Sequence, residues 1–244
     1  MIRAIFSSAG FFWSVTLFAG LLVIFIVSFD QRKIDRVVVV GELSETQLMN
    51  VKQVLDDMNA TASDVETIRG KVSSLEWVYH ANVRKKWPNA VSVEVIPEQV
   101  IAYWNDNGFI NSDGKVLVTD YLVAGDLPHL YGPAGAELEV MQRFQQMSLL
   151  LASQNHEIQA LTLSARGDWR IETRGKVEVL LGKEDLRARL DRFLEVSRRL
   201  EDSGNAAGIE RMDARYVNGV AVHFSDNNQL ELADINKSVG ERSL

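Results

Sequence analysis

The sequence predicts an α+β protein with a single amino-terminal membrane-spanning helix, a compact β-α-α-β-β unit, and then a mixed β domain in which two helices pack on an extended sheet. Three observations predict it. Residues 4–29 carry no charge, residues 36–104 show strand and helix periodicities in the order just given, and residues 105–226 hold several strand-like runs and two helical stripes. Residues 1–9 are a short tail before the span, and residues 227–244 are a polar tail after the last strand.

The predicted span covers residues 10–29. About 20 apolar residues, each rising about 1.5 Å, are enough to cross a hydrocarbon core of about 30 Å. A cleaved signal peptide is the alternative, but its apolar region is usually about 7–15 residues long and ends at a small-x-small site. The sequence that leaves the span, Val27–Arg32, offers no such site. We therefore predict a span that stays in the membrane.

Charge does not fix the orientation of this span. Arg3 precedes it, whereas Arg32, Lys33 and Arg36 follow it, so the positive-inside rule favours a cytoplasmic carboxyl-terminal side. Long domains translocate largely regardless of such charges. From composition alone, both orientations stay open.

The β-α-α-β-β unit begins with Arg36–Glu42, a β-branched run typical of a buried strand. Ser44–Gln47 and Ser63–Glu66 each fit a capping box, because a serine hydroxyl can accept a hydrogen bond from the amide three residues on. Apolar residues follow each of them at helical spacing, which predicts two helices. The extended runs Val78–Lys85 and Ala90–Ile96 complete the unit.

The second unit is richer in strands. Asn107-Gly108 and Asp113-Gly114 are turn dipeptides around a short strand, and apolar stripes predict helices over 136–154 and 183–201. Three strand-like runs lie between the helices, and two more close the domain: Ile158–Ser164, Trp169–Arg174, Val177–Leu181, Ile209–Tyr216 and Val220–Phe224. Val217-Asn218-Gly219 joins the last two and is a hairpin-turn signal.

Composition argues against several classes of function. A formal net charge of −7 has the wrong sign for general nucleic-acid binding, which needs Lys and Arg to replace counterions. A chain without cysteine has no thiolate metal site, disulfide or thiol nucleophile. The four histidines are dispersed, and the adjacent Asp56 and Asp57 point in different directions on a helix. The sequence holds no hydrolase elbow, phosphate-binding loop or dinucleotide fingerprint, so we predict no catalytic residue, metal or cofactor.

Two features favour protein binding instead. The helix over 183–201 carries five arginines among five acidic residues, which is typical either of a solvated face with local ion pairs or of a binding surface. The last strand, Val220–Phe224, is expected at a sheet edge, where a partner strand could add or the tail could cover it. In the strand before it, Asp213 and Arg215 are expected on one face and Tyr216 on the other.

Eight segments, in order along nearly the whole chain, carry a family resemblance: Val37–Gly41, Trp77–Arg84, Trp87-Pro88, Val93–Pro97, Leu127–Pro133, Ser164–Trp169, Leu181–Lys183 and Met212–Val222. They resemble the FtsQ/DivIB family of bacterial cell-division proteins. The last segment is the most specific, because it is close to that family's Asp-x-Arg-Tyr-x-x-Gly-x-Ala-Val.

The resemblance implies that residues 36–104 are a POTRA domain and that the chain is an inner-membrane protein at the division septum, with its amino terminus in the cytoplasm and its bulk in the periplasm. It also implies a scaffold that binds FtsB and FtsL and, through them, reaches the septal peptidoglycan synthase FtsW–FtsI. In this family FtsB adds a strand to the carboxyl-terminal edge of the β domain, and the POTRA unit is the expected docking surface for upstream recruitment. The residues that fall on the partner-binding stretch are Arg215, Tyr216, Asn218, Gly219, Val220, Val222 and Phe224.

By the same resemblance, Arg215 is expected to pair with a partner acid, Tyr216 to anchor, and Gly219 to allow close backbone approach. Two departures from the family pattern matter. Phe224 stands where relatives often have tryptophan, and the tail before the span is very short. The alternatives are a POTRA-bearing component of an envelope secretion or assembly system, which usually carries several POTRA repeats or a long β-barrel, and a membrane-anchored cell-wall enzyme, which needs a catalytic acid pair or a Ser-x-x-Lys motif.

Overall fold

The computed structural model of the chain describes residues 17–21, 34–122 and 125–225. The predicted tails 1–9 and 227–244 lie outside these ranges, as does the predicted span 10–29 apart from the helical residues 17–21. Among the described residues, no helix combines the length and the apolar character that crossing a bilayer requires. The chain divides into two compact units, and the division falls after Pro97.

The first unit has the predicted order of elements. They are β1 (Arg36–Val40), α1 (Glu45–Asp57), α2 (Val65–Ser73), β2 (Val78–Lys86) and β3 (Ala90–Pro97). In the sheet, β3 lies between β1, with which it runs parallel, and β2, with which it runs antiparallel. The predicted β-α-α-β-β arrangement is therefore confirmed.

Of the two helix caps predicted in the first unit, the structure confirms one and contradicts the other. Ser44 caps α1 in a full capping box with Gln47, as predicted. The prediction that Ser63 caps α2 is wrong, because Asp64 is the capping residue and its carboxylate accepts a hydrogen bond from the Thr67 amide at 2.9 Å. The Ser63 hydroxyl instead donates to the carbonyl oxygen of Met58 in the preceding turn.

The core of the first unit lies between its sheet and its two helices. Val91, Val93 and Val95 of β3 are at most 1% exposed, in the alternation that the sequence predicts. Trp77, just before β2, is 1% exposed, and its Nε1 donates to Asn50 Oδ1 of α1 at 3.0 Å. One indole therefore ties the first helix to the start of the second strand.

The second unit is built on one mixed sheet of nine strands among the described residues. Its strands are β4 (Val100–Trp104), β5 (Gly108–Asn111), β6 (Val116–Leu117), β7 (His129–Tyr131), β8 (Ile158–Leu163), β9 (Trp169–Thr173), β10 (Glu178–Gly182), β11 (Ile209–Asp213) and β12 (Ala221–Phe224). The predicted first unit includes residues 100–104, but β4 pairs with β5 and β7 of the second sheet. The boundary therefore falls earlier than the predicted residue 104, because this strand completes the second sheet.

Two helices pack on this sheet, as predicted: α3 (Glu137–Ala152) and α4 (Leu186–Asp202). Their buried apolar residues share one core with the strands, including Val140 and Leu151 from α3 and Leu190 and Phe193 from α4. The second helix begins three residues later than the predicted Lys183. Asp185, with φ of 51°, adopts the left-handed conformation immediately before it.

The connection between the last two strands is longer than predicted. β11 ends at Asp213 rather than Tyr216, and β12 begins at Ala221, so residues 214–220 form a seven-residue loop in place of a tight hairpin turn. Ala214 extends the pairing by one bond, since its amide donates to the Leu180 carbonyl oxygen at 3.0 Å.

Candidate partner-binding edge

β12 lies at one end of the nine-stranded sheet, whose order is β12-β11-β10-β9-β8-β7-β4-β5-β6. It pairs antiparallel with β11, with Ala221 opposite Asp213 and Val222 opposite Met212. Within the part of the chain that the structure describes, β11 is its one neighbouring strand. This agrees with the edge position that the sequence predicts.

Side chains and backbone groups alternate along β12. Ala221 and His223 are exposed, whereas Val222 is half-buried and packs against the core, as does Val220 before it. The Ser225 amide donates across the pair to the Gly208 carbonyl oxygen at 2.8 Å. Because N–H groups alternate in direction along a strand, the amides of Ala221 and His223 face β11 and that of Val222 faces away. The Val222 backbone is therefore oriented for an added strand.

Asp213 and Arg215 bind each other where β11 ends. The Asp213 carboxylate accepts hydrogen bonds from the Arg215 backbone amide at 3.0 Å, from its Nε at 2.9 Å and from its Nη2 at 2.6 Å. These contacts turn the chain out of the strand, which explains why β11 ends before Tyr216. The guanidinium also holds the pKa of Asp213 below its ordinary value. The Asp213 side chain is 14% exposed and that of Arg215 is 53% exposed, so the guanidinium faces solvent.

The geometry of this pair leaves one edge of the guanidinium available. The five N–H groups of arginine form a fixed fork, and Nε and Nη2 supply the side edge that meets Asp213. Among the described residues, no hydrogen bond uses Nη1 of Arg215. A carboxylate from a partner can therefore bind the end edge, formed by Nη1 and Nη2, without displacing Asp213.

Two arginines of α4 support the same region. Arg189 Nη1 donates to the Leu181 carbonyl oxygen at 2.6 Å, and Arg192 Nη2 donates to the Ala214 carbonyl oxygen at 3.4 Å. The helix therefore holds the ends of β10 and β11 in place. The solvated-face interpretation fits two other arginines, which pair with acids one turn away: Arg187 with Asp191, and Arg199 with Glu195.

The loop 214–220 presents exposed apolar side chains. Tyr216 is 60% exposed and Val217 is 81% exposed. Since the strand has already ended, Tyr216 projects from the loop instead of continuing the alternation of β11. A Cβ added at Gly219 would meet no atom within 4 Å, so the fold of the described chain does not require glycine there.

A cavity of about 250 Å³ borders Arg215, and sequence reasoning did not single it out. Its lining includes Arg166, Asp168 and Gly182. Gly182 has φ of +70°, the left-handed region that favours glycine, and a Cβ there would lie 2.6 Å from Arg189 Nη1 and 3.3 Å from Arg215 Cγ, so another residue would be strained and would displace these arginine side chains. The segments around Arg166 and Gly182 carry part of the family resemblance, but they are distant from Arg215 in sequence.

The histidines occupy separate places in the fold. His129 stacks on Tyr103 with ring centroids 4.7 Å apart, and His156 lies against Phe193 with centroids 5.6 Å apart. Across the described ranges, no three His, Asp or Glu side chains are grouped so that they could hold a metal ion.

Comparison with known proteins agrees with this architecture. A family model described as "POTRA domain, FtsQ-type" matches residues 32–96, and one described as "Cell division protein FtsQ/DivIB, C-terminal" matches residues 102–215. The unit boundary after Pro97 falls between the two matches, and β12 lies just beyond the second.

Relatives named "Cell division protein FtsQ" align over most of the chain. The protein from Haemophilus influenzae is 32% identical over 81% of this chain and 80% of its own length. The protein from Vibrio cholerae is 29% identical over 91% and 88%, and that from Escherichia coli is 27% identical over 79% and 73%. The chain therefore belongs to the FtsQ/DivIB family of cell-division proteins.

Proposed function

We propose that the chain is a non-enzymatic scaffold of the division machinery, held in the inner membrane by its amino-terminal span with both units in the periplasm. Its direct partners are FtsB and FtsL, which connect it to the septal synthase FtsW–FtsI. Family membership supports the role in division. The observation that carries the binding mode is the position of β12 at the end of the sheet, beside a solvent-facing Arg215.

Strand addition at β12 uses the backbone for affinity and the neighbouring side chains for specificity. An added strand bonds to the backbone of Val222 and runs past Val220 and Phe224. A carboxylate on that strand, or on the segment leading into it, binds the end edge of Arg215. Such a charge-assisted, bidentate pair fixes the register of the partner as well as adding affinity.

The loop supplies the apolar part of the interface. Tyr216 and Val217 are large, exposed and adjacent, and aromatic residues that become buried are the usual anchors of protein interfaces. Asn218 and Gly219 follow them, and the open space around Gly219 leaves room for a partner's backbone.

Cysteine crosslinking tests the binding mode. A single cysteine at Ala221 or at His223 should form a disulfide with a cysteine in the partner's added strand, because both side chains are exposed and paired strands lie about 4.8 Å apart, within disulfide reach. The chain has no cysteine of its own, so the background is absent. The measurement is the crosslinked band on a non-reducing gel after mild oxidation in cells that co-express the two proteins.

Glu172→Cys is the matched control. Glu172 is exposed on β9, which lies three strands from β12 in the sheet, and an added strand would be four spacings, about 19 Å, away. If Ala221→Cys and His223→Cys fail to crosslink while the two proteins still co-purify, strand addition at β12 is wrong, although the family assignment stands.

A double-mutant cycle tests whether Asp213 positions Arg215. Arg215→Ala should weaken partner binding by about 1–3 kcal/mol, measured by calorimetry with purified FtsB. Asp213→Asn should weaken it by about 1 kcal/mol, since the side edge of the guanidinium is then no longer held by a carboxylate. In the Arg215→Ala background, Asp213→Asn should weaken partner binding by almost nothing further.

Asp191→Asn serves as the control for the cycle, because it breaks a comparable pair with Arg187 on the exposed face of α4. It should leave the affinity unchanged. Equal losses from Asp213→Asn in both backgrounds would show that Asp213 acts on the fold alone. No loss from Arg215→Ala would show that the partner places no acid there.

A further inference from the structure

The turn between β2 and β3 carries an exposed surface that partner binding at β12 does not use. We call residues 84–89 the hairpin tip. Arg84, Lys85 and Lys86 are exposed, and Trp87 is 82% exposed. In the ranges that the structure covers, neither lysine takes part in an ion pair, and Arg84 Nε donates to the neutral Asn82 at 3.3 Å. An exposed indole beside three cations has no packing role within the first unit.

The hairpin tip lies beside the point where the chain enters the first unit. The Asp35 amide donates to the Asn89 carbonyl oxygen at 2.8 Å, and Asn89 Nδ2 donates to the Asp35 carboxylate at 2.9 Å. Arg36 is opposite Ala90 in the β1–β3 pair, which adds a fourth cation next to the tip. The tip and the first residues of the unit therefore form one end of it.

Chain length brings this end close to the bilayer. The predicted span ends at residue 29, six residues before Asp35. Six fully extended residues reach at most about 21 Å, so Asp35 is tethered within that distance of the end of the span, and the tip is hydrogen-bonded to Asp35 through Asn89. A contact between tethered groups needs little intrinsic affinity, because their effective concentration is high.

We propose that the hairpin tip binds the surface of the membrane in which the chain is anchored, with Trp87 in the interfacial layer and Arg84, Lys85 and Lys86 against anionic phospholipid headgroups. This rests on the membrane anchorage proposed above. Tryptophan is enriched at the boundary between headgroups and acyl chains, and Lys and Arg are attracted to anionic lipid. The chain as a whole carries a net charge of −7, so attraction of this kind has to come from a local cluster.

Quenching by brominated lipid tests the contact in the full-length protein. Trp13 lies in the predicted span, so Trp13→Phe is the background for all variants. Of the remaining tryptophans, Trp87 is exposed, whereas the other three are at most 6% exposed: Trp77, Trp104 and Trp169. In vesicles of phosphatidylcholine with about one-third phosphatidylglycerol, brominated acyl chains should lower the Trp87 emission at least twofold. The additional change Trp87→Phe should remove the quenched component.

Charge reversal identifies the lipid headgroup as the attracting group. The double change Lys85→Glu and Lys86→Glu should lower the ratio of membrane-bound to unbound hairpin tips more than tenfold. Each cation near an anionic surface raises this ratio about fivefold. The control is Lys52→Glu with Lys71→Glu, which makes the same change in net charge at exposed positions on α1 and α2 and should leave quenching unchanged. Vesicles of phosphatidylcholine alone should give the weak quenching of the Lys85 and Lys86 double variant.

The outcomes separate this inference from the proposed function. If the protein resists alkaline extraction from the vesicles but Trp87 is not quenched, the tip does not bind the membrane, and the anchorage stands. A second outcome would also overturn the inference. If Trp87 is not quenched in the Trp13→Phe protein and a Trp87→Phe variant is recruited poorly to the septum, the tip binds a protein partner. If alkali extracts the protein, the anchorage itself is wrong.

Discussion

Replacing Val222 with proline should weaken binding of the proposed FtsB strand by about 2–3 kcal/mol, which is roughly 30- to 150-fold. The amide of Val222 faces away from β11, since the Ser225 amide faces towards it and the directions alternate. Proline removes this donor and leaves a carbonyl of the added strand without a partner. The pairing between β11 and β12 does not use the Val222 amide, so proline is compatible with the fold of the edge strand.

Two further substitutions isolate the backbone effect. Val222→Ala removes the half-buried side chain but keeps the amide, and it should bind the partner more tightly than the proline variant. His223→Pro removes an amide that faces β11, so it should destabilise the second unit in denaturant unfolding, which Val222→Pro should not. If Val222→Pro and Val222→Ala bind equally well, the added strand does not pair with this amide.

The elements that sequence predicted best depend on local signals. The four-residue capping box from Ser44 to Gln47 marks the start of α1, and the alternation of Val91, Val93 and Val95 marks which face of β3 is buried. Both signals arise from the geometry of a single helix turn or a single strand, so they can be recognised without knowing which distant residues pack nearby. The choice between Ser63 and Asp64 shows the limit of such signals, because either side chain can cap a helix and the preceding turn decides which one does.

Features that depend on distant residues were missed. The sheet places β10 next to β11 in parallel, although the whole of α4 separates them in sequence, and this pairing brings Gly182 against Arg215. The cavity between them has no signature in either segment alone. The early end of β11 was also missed, because strand propensity continues to Tyr216 and the competing bond from Asp213 to Arg215 is made only when the chain turns.

The candidate partner-binding edge has features of both kinds, some predicted from local signals and some set by distant residues. Sequence predicted that the last strand is an edge strand, since a final strand commonly has one neighbour. It did not predict that Arg215 would already be held by Asp213, nor that Arg189 and Arg192 would fix the strand ends behind it. These contacts change the expected chemistry. In the proposed complex, a partner's acid would meet a preorganised guanidinium through its end edge, instead of a flexible side chain that has to be ordered on binding.

Replacing Trp77 with alanine should destabilise the first unit by about 4 kcal/mol. Its indole is 1% exposed and donates a hydrogen bond to Asn50, so the change leaves a large cavity and an unsatisfied amide oxygen. Small domains have about 5–15 kcal/mol of stability in total, so this variant should bring the first unit close to unfolding. The measurement is denaturant unfolding of the full chain in detergent, followed by circular dichroism.

Trp87→Ala is the control, because it removes the same side chain from a position that is 82% exposed in the same unit. It should change the unfolding free energy by less than about 0.5 kcal/mol, and equal losses from the two variants would contradict the described core. The edge strand belongs to the other compact unit. Trp77→Ala should therefore keep its affinity for FtsB within about threefold even as its first unit unfolds, since no residue of the proposed binding surface precedes Glu98.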